Sequence, residues 1–143
     1  MNRALQYVGL FLIVCCPAFL IAQTSETWTT YRDLDAVKID YTTQECTGQN
    51  SGVITEFNFV RLTNKTANQV TITFKIEYYY NGSCTTCSND EYRFTFVLPP
   101  NGILVPDCSL TGEAAKLAII KRYVNRNFGY PLDRFELTNI TVQ

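Results

Sequence analysis

VTITFKIEYYY, residues Val70–Tyr80, decides the fold of this chain. Val70, Ile72, Phe74, Ile76, Tyr78 and Tyr80 alternate with Thr71, Thr73, Lys75, Glu77 and Tyr79. A period of two, carried by β-branched and aromatic residues, predicts a long strand with one buried face. The alternation sends Tyr78 and Tyr80 inward and leaves Tyr79 outside with Lys75 and Glu77. The three tyrosines therefore read as core and cross-strand packing rather than as a stacking platform. Upstream, VITEFNFVRLT (Val53–Thr63) reads as a second strand. The joining NKTANQ (Asn64–Gln69) is turn-rich, so the two strands are expected to form a hairpin. Downstream, Glu91–Leu98 repeats the alternation, with Tyr92, Phe94, Phe96 and Leu98 on one face. PPNG (Pro99–Gly102) should stop that strand and turn the chain back beside it.

Outward from these strands the signals weaken. Val37, Ile39 and Tyr41 mark a short strand, and Phe135–Val142 a closing one. In the latter, Phe135 and Leu137 share one parity while Ile140 and Val142 have the other, which predicts a bulge near Asn139. Ala114–Val124 is ambiguous. Leu117, Ile120 and Val124 fit a helix face, and Thr111 with Glu113 resembles a helix start. IIKRYV fits a strand, and the flanking strands favour that choice. Short strands separated by turns give an all-β chain: a single antiparallel β-sandwich over residues 23–143, immunoglobulin-like in general architecture. Gln23–Asp35 reads as a loose N-terminal arm unless Trp28 and Tyr31 dock it on the sandwich.

The first 22 residues, MNRALQYVGLFLIVCCPAFLIA, have the order of a secretory signal peptide. Arg3 precedes an apolar run from Val8 to Leu20, and polar residues begin at Gln23. The run is shorter than the ~20 residues a spanning helix needs and is broken by Pro17, so cleavage near Ala22 is expected rather than an anchor. Val14 and Cys15 are poor residues to precede a lipidated Cys15 or Cys16. Removing the leader from the 143 residues leaves 121, one domain by size, at net charge −2 rather than −1 because the leader carries only Arg3. That balance argues against nucleic-acid binding. The chain has no His, which removes Ser-His-Asp and Cys-His catalysis and the commonest metal ligand.

An exported domain keeps Cys46, Cys84, Cys87 and Cys108. Cys84 and Cys87 sit in NGSCTTCSND, between two strands. Strand directions place Cys46 and Cys108 at the same end, so all four sulfurs should gather at one pole. An even count in an oxidising compartment favours two structural disulfides. Four cysteines allow three connectivities. Tying Cys46 and Cys108 each to one member of the CTTC pair is slightly preferred, because it crosslinks separate segments. A zinc site of all four sulfurs is the alternative, although CxxC supplies only half of one. A redox role for CTTC is disfavoured, since low-pKa cysteines want a helix N-terminus or a cation beside them.

Other groups have ordinary readings. Lys116, Lys121, Arg122 and Arg126 form a modest basic cluster best read as a solvated face. Asp33, Asp35 and Asp40 lack an EF-hand pattern for calcium. Glu56, Glu77 and Glu136 lie on strands where alternating exposed acids are common, yet they are the set a carboxylate-only hydrolase would use. Asn64, Asn81 and Asn139 stand in N-x-S/T sequons.

Cys46, the NKT turn, YYYNGSCTTCSNDEYRF, PPNG, Cys108 and the closing FELTNITV together resemble small secreted proteins of Bacteroidetes-type bacteria. The resemblance implies an exported β-sandwich and carries no activity, cofactor or site residue with it. The reading that follows is an exported interaction or structural module that acts without catalysis. It would meet a protein or cell-surface partner through loops at the cysteine pole, with Asn89, Asp90 and Glu91 the candidates. A secreted hydrolase and a zinc-stabilised module are the alternatives. No cofactor is expected, and no membrane span once the leader is removed.

Overall fold

A computed structural model describes residues 27–48 and 51–143. The leader, its cleavage point and residues 23–26 of the expected arm lie outside them. The alternating stretch is strand β4 (Val70–Tyr80), as its periodicity requires. Its even positions Val70, Ile72, Phe74 and Ile76 are buried in the main core, with Tyr78 and Tyr80 packed against it. The other strands are β1 (Thr29–Asp33), β2 (Val37–Thr47), β3 (Ile54–Asn64), β5 (Ser83–Cys84), β6 (Arg93–Leu98), β7 (Ile103–Leu104), β8 (Ala118–Tyr123) and β9 (Arg134–Val142). No α-helix occurs among the described residues; Asp90–Tyr92 and Glu113–Leu117 are short 3-10 helices.

Two antiparallel sheets result. One runs β1-β2-β3 and is completed by β7 and β8, which both pair with β3. The other has β4 at its centre, with β5 and β6 along one edge and β9 along the opposite edge. Val37, Ile39, Val60 and Leu62 of the first sheet and Ile72, Phe74, Phe96 and Leu137 of the second join in one buried cluster. The chain is thus an all-β molecule of two packed antiparallel sheets. The immunoglobulin comparison extends to that two-sheet architecture and no further, because here β1, β2 and β3 pair in chain order.

Each sheet has an edge strand broken by an excursion. β7 ends opposite Leu62 and β8 begins opposite Phe59, so residues 105–117 leave and rejoin the same edge of β3. β5 and β6 do the same along β4, with residues 85–92 between them. There the Thr86 hydroxyl replaces the missing ladder. It accepts the Tyr78 N–H at 2.9 Å and donates to the Ile76 carbonyl at 3.3 Å. Asn81 and Gly82, both at positive φ, make the two-residue turn from β4 to β5.

Several sequence expectations change. β3 and β4 do not pair: they lie in different sheets, and residues 65–69 carry the chain across the sandwich. Asn64, 2% exposed, holds this corner. Its amide donates to the Asn68 and Pro99 carbonyls at 2.7 and 2.8 Å, and its Oδ1 accepts the Thr66 N–H at 2.9 Å. PPNG does turn, with the Gly102 N–H bonded to the Pro99 carbonyl at 2.9 Å. The chain then enters β7 of the other sheet instead of returning beside β6. β2 runs eleven residues, well past Tyr41, because Thr42, Gln44 and Cys46 face an outer surface that is itself partly covered. Residues 29–33 form a paired strand rather than a loose arm. Ala114–Val124 divides between both readings, a 3-10 turn to Leu117 and strand from Ala118. The bulge falls where parity put it, with Asn139 at φ 52°.

Candidate functional site

The cysteines form two bonds, Cys46–Cys108 and Cys84–Cys87. This corrects the expected cross-pairing. Cys46 shares the outward parity of Asp40 and Thr42 on β2, and it packs beside Phe57 and Phe59 on the outer face of its sheet. Cys84 is opposite the outward Tyr79 on the other sheet. The sulfurs therefore share an end of the sandwich but lie on its opposite faces. Sheets stack about 10 Å apart, so a single four-sulfur zinc site cannot assemble. Cys108 belongs to the 105–117 excursion, and its bond ties that excursion to β2.

At the same end the interior changes character. The inward rows of β2 and β3 begin with Val37, Ile39, Leu62 and Val60, then become Tyr41, Thr43 and Asn58. Thr43 and Asn58 are register partners, and the Thr43 hydroxyl donates to Asn58 Oδ1 at 3.0 Å. With the apolar fill gone, a cleft of about 370 Å³ opens between the sheets. Tyr31, Tyr41 and Phe135 wall it, and Thr43, Asn58, Lys121, Leu132, Asp133 and Arg134 complete its lining. Tyr31 stacks on Phe135 at 5.6 Å, and Tyr41 meets Phe135 edge-on at 5.8 Å. Concave sites of this kind, aromatic walls with a few convergent polar groups, suit small ligands or an inserted side chain.

The segment from Val124 to Pro131 joins Lys121 of β8 to Leu132, both of which line this cleft. It is anchored at both ends, by the Val124 N–H on the Ile54 carbonyl and the Leu132 N–H on the Lys121 carbonyl, each at 2.7 Å. Between the anchors Phe128 is 71% and Tyr130 76% exposed. Phe128 meets Tyr123 edge-to-face at 5.6 Å. Val124 and Ile120 add exposed apolar surface. Sequence reasoning missed this loop, although NFGY between two strands was a visible signal: aromatics placed where turn residues usually stand.

The expected acids divide between the sheets, Glu56 on one and Glu77 beside Glu136 on the other. Glu56 accepts Arg122 at 2.6 Å and faces Lys121 at 3.4 Å, so the basic cluster is partly spent on it. Lys116 pairs with Glu113. Glu77 and Glu136 are register partners on the outer face of the β4 sheet. Arg134 pairs with Glu136 at 2.9 Å and lies 3.7 Å from the centre of the Tyr79 ring, and neither acid lines the cleft. Burial and the nearby Glu136 and Glu77 carboxylates push the Tyr79 phenol up. Asp33 pairs with Lys65. Asp40, 1% exposed, accepts Arg61 at 2.8 Å, Lys38 at 3.0 Å and Thr30 at 3.0 Å. Burial raises its carboxyl, but those three donors outweigh burial and hold it below the usual carboxylate range. Of the three acids set aside for calcium, Asp33 and Asp40 are thus engaged by cations. Asn89 caps the Asp90–Tyr92 turn by accepting the Glu91 N–H, and Asp90 meets Arg93 at 3.5 Å. That trio is committed to local structure. Among the sequons, Asn64 is buried, while Asn81 and Asn139 are exposed.

No family model matches the chain, and no curated protein and no solved structure matches it.

Proposed function

We propose that this chain is an exported recognition module, held by its two disulfides, that works by binding rather than by bond-breaking chemistry. Its contact surface is the pole formed by the Tyr31–Tyr41–Phe135 cleft and the 124–131 loop. The single observation that carries this reading is the exposure of Phe128 and Tyr130 on a loop pinned at both ends. Large aromatics held in water on a rigid frame lower the ordering cost of an interface and are enriched at its centre. The cleft, lined by Lys121 and Leu132 that flank this loop, offers a concavity for a partner side chain or a small ligand. The placement of Glu56, Glu77 and Glu136 favours binding over carboxylate hydrolysis: Glu56 is on the other sheet, and the neighbouring Glu77 and Glu136 stand on an outer sheet face, outside the cleft. Disulfides and a signal-like leader support an extracytoplasmic site of action. No helix among the described residues is long and apolar enough to cross a membrane. The resemblance to exported proteins of Bacteroidetes-type bacteria belongs to the same proposal.

The test is a photo-crosslinking residue placed at position 128 or at position 97, with the protein added to envelope fractions of its source. Val97 is also exposed, but it sits at the far end of β6. Crosslinked product from position 128 and none from 97 supports the proposal. Equal products, or none from 128, contradict it.

A further inference from the structure

The outer face of the β4 sheet gathers a second group of reactive side chains. One carboxylate oxygen of Glu77 and the sulfurs of Cys84 and Cys87 all lie within 4.8 Å of one another. Cys84 and Cys87 bond to each other across a separation of three residues, with Cys87 exposed and Cys84 half-buried. Glu77 is held in place from two sides. The Tyr79 hydroxyl donates to Oε2 at 3.3 Å and the Thr138 hydroxyl donates to Oε1 at 3.2 Å. Both donors stand on paired strands, so the carboxylate is oriented before any ligand arrives. Outer hydrogen bonds of this kind are what positions metal-ligating carboxylates.

Charge completes the argument. Lys75, 5% exposed, donates from Nζ to the Cys87 carbonyl at 2.5 Å and has no carboxylate within ion-pair distance among the described residues. With the disulfide closed, the ammonium of Lys75 and the carboxylate of Glu77 balance across the site. Reduction to two thiolates leaves a surplus of two negative charges. A bound divalent cation cancels that surplus, and the CxxC spacing is the usual chelating half of a thiolate site.

We infer that reduced Cys84 and Cys87, with Glu77, form a three-ligand site for a thiophilic divalent cation, and that closing the disulfide releases it. The step balances with a low-molecular-weight disulfide as oxidant. One of its sulfurs is attacked by a protein thiolate, giving a mixed disulfide and one free thiolate. The second protein thiolate attacks that mixed disulfide, closing Cys84–Cys87 and expelling the second small thiolate. Two electrons pass from the protein pair to the oxidant, and the cation leaves with its charge matched by the two thiolates released. Exposure of Cys87 gives small thiols and disulfides access to this pair; the other disulfide is buried at Cys46 and exposed at Cys108.

The test uses the full mature chain treated with a phosphine reductant, which contributes no thiol ligand, under conditions that alkylation and mass measurement show to open Cys84–Cys87 alone. Cadmium(II) is then titrated and followed by thiolate-to-metal absorption. One equivalent should bind to the reduced protein and none to the oxidised one, and oxidised glutathione should release it. Glu77→Gln should weaken binding by no less than the about 10–100-fold lost when an outer partner of a metal ligand is removed. The Cys84→Ser/Cys87→Ser variant keeps Cys46–Cys108 and should bind none. Absence of binding to the reduced chain, unchanged affinity in Glu77→Gln, or retained binding in the double serine variant would each overturn the inference.

Discussion

The Tyr31 hydroxyl accepts the main-chain N–H of Leu137 at 2.8 Å, joining β1 of one sheet to β9 of the other. The two residues are 106 positions apart and stand on the edge strands of different sheets. The same ring stacks on Phe135, so one side chain closes this flank of the sandwich, satisfies an edge amide and walls the cleft. Tyr31→Phe keeps the stacking and removes the acceptor. An unsatisfied donor of this kind costs roughly 1–3 kcal/mol. The expected outcome is a loss of that size in urea unfolding, with faster hydrogen exchange at the Leu137 amide than at its neighbour Glu136.

Thr86 makes a comparable substitution of side chain for backbone. Its hydroxyl serves both the Tyr78 N–H and the Ile76 carbonyl where the edge of β4 lacks a strand. Thr86→Val preserves shape and deletes both bonds. Destabilisation of about 1–3 kcal/mol is expected, concentrated in β4 near Tyr78. Amide exchange at Tyr78 is the local readout; a global loss with Tyr78 still protected would contradict the assignment.

The two disulfides differ in what they restrain. Cys46–Cys108 spans 62 residues and Cys84–Cys87 only three. On the chain-entropy relation these correspond to about 4 and about 2 kcal/mol. Paired serine replacements should therefore lower stability markedly for Cys46/Cys108 and mildly for Cys84/Cys87, as read by thermal unfolding without reductant. The reverse order would show that the 105–117 excursion does not depend on its tether.

Asp40 links stability to acid. Its carboxyl titrates lower in the folded chain than in the unfolded one, so its contribution is fully present above the unfolded value near 3.9. That contribution is lost as pH falls through the lower folded value. Asp40→Asn removes the dependence. The variant should be less stable than the native chain at pH 7, and the gap should narrow on acidification below about pH 4. Urea midpoints measured from neutral to acid pH check this.

Much of the fold was legible wherever one physical signal acted alone. Val70–Tyr80 has a single consistent period, and the packing followed it down to the outward Tyr79. The parity switch in β9 has one cheap solution, an extra residue, and Asn139 at positive φ supplies it. The misreadings came where local chemistry fits two tertiary outcomes. Asn64–Gln69 suits a hairpin and a sheet crossing equally. The choice rests on Asn64 bonding Pro99, 35 residues away, which no local pattern encodes. The disulfide pairing failed for a related reason. QECT at the end of β2 looks like loop, but Phe57 and Phe59 on the neighbouring strand make that outer face worth covering, and this fixes which face Cys46 occupies. The recognition pole was only half visible. The sequence marked that end by its cysteines and pointed to Asn89, Asp90 and Glu91, which are engaged in a local cap. The polar turn of the inward rows at Thr43 and Asn58 required knowing which strands pair.

The central claim is that this pole binds. The most direct measurement compares the oxidised mature protein with its Phe128→Ser/Tyr130→Ser variant, and with Val97→Ser as control, for saturable binding to envelope fractions of the source. The account predicts that the double variant loses binding at least about tenfold, a change of ~1.4 kcal/mol, while keeping both disulfides and its unfolding midpoint, and that Val97→Ser binds as the native chain does. Equal binding by all three proteins would contradict it.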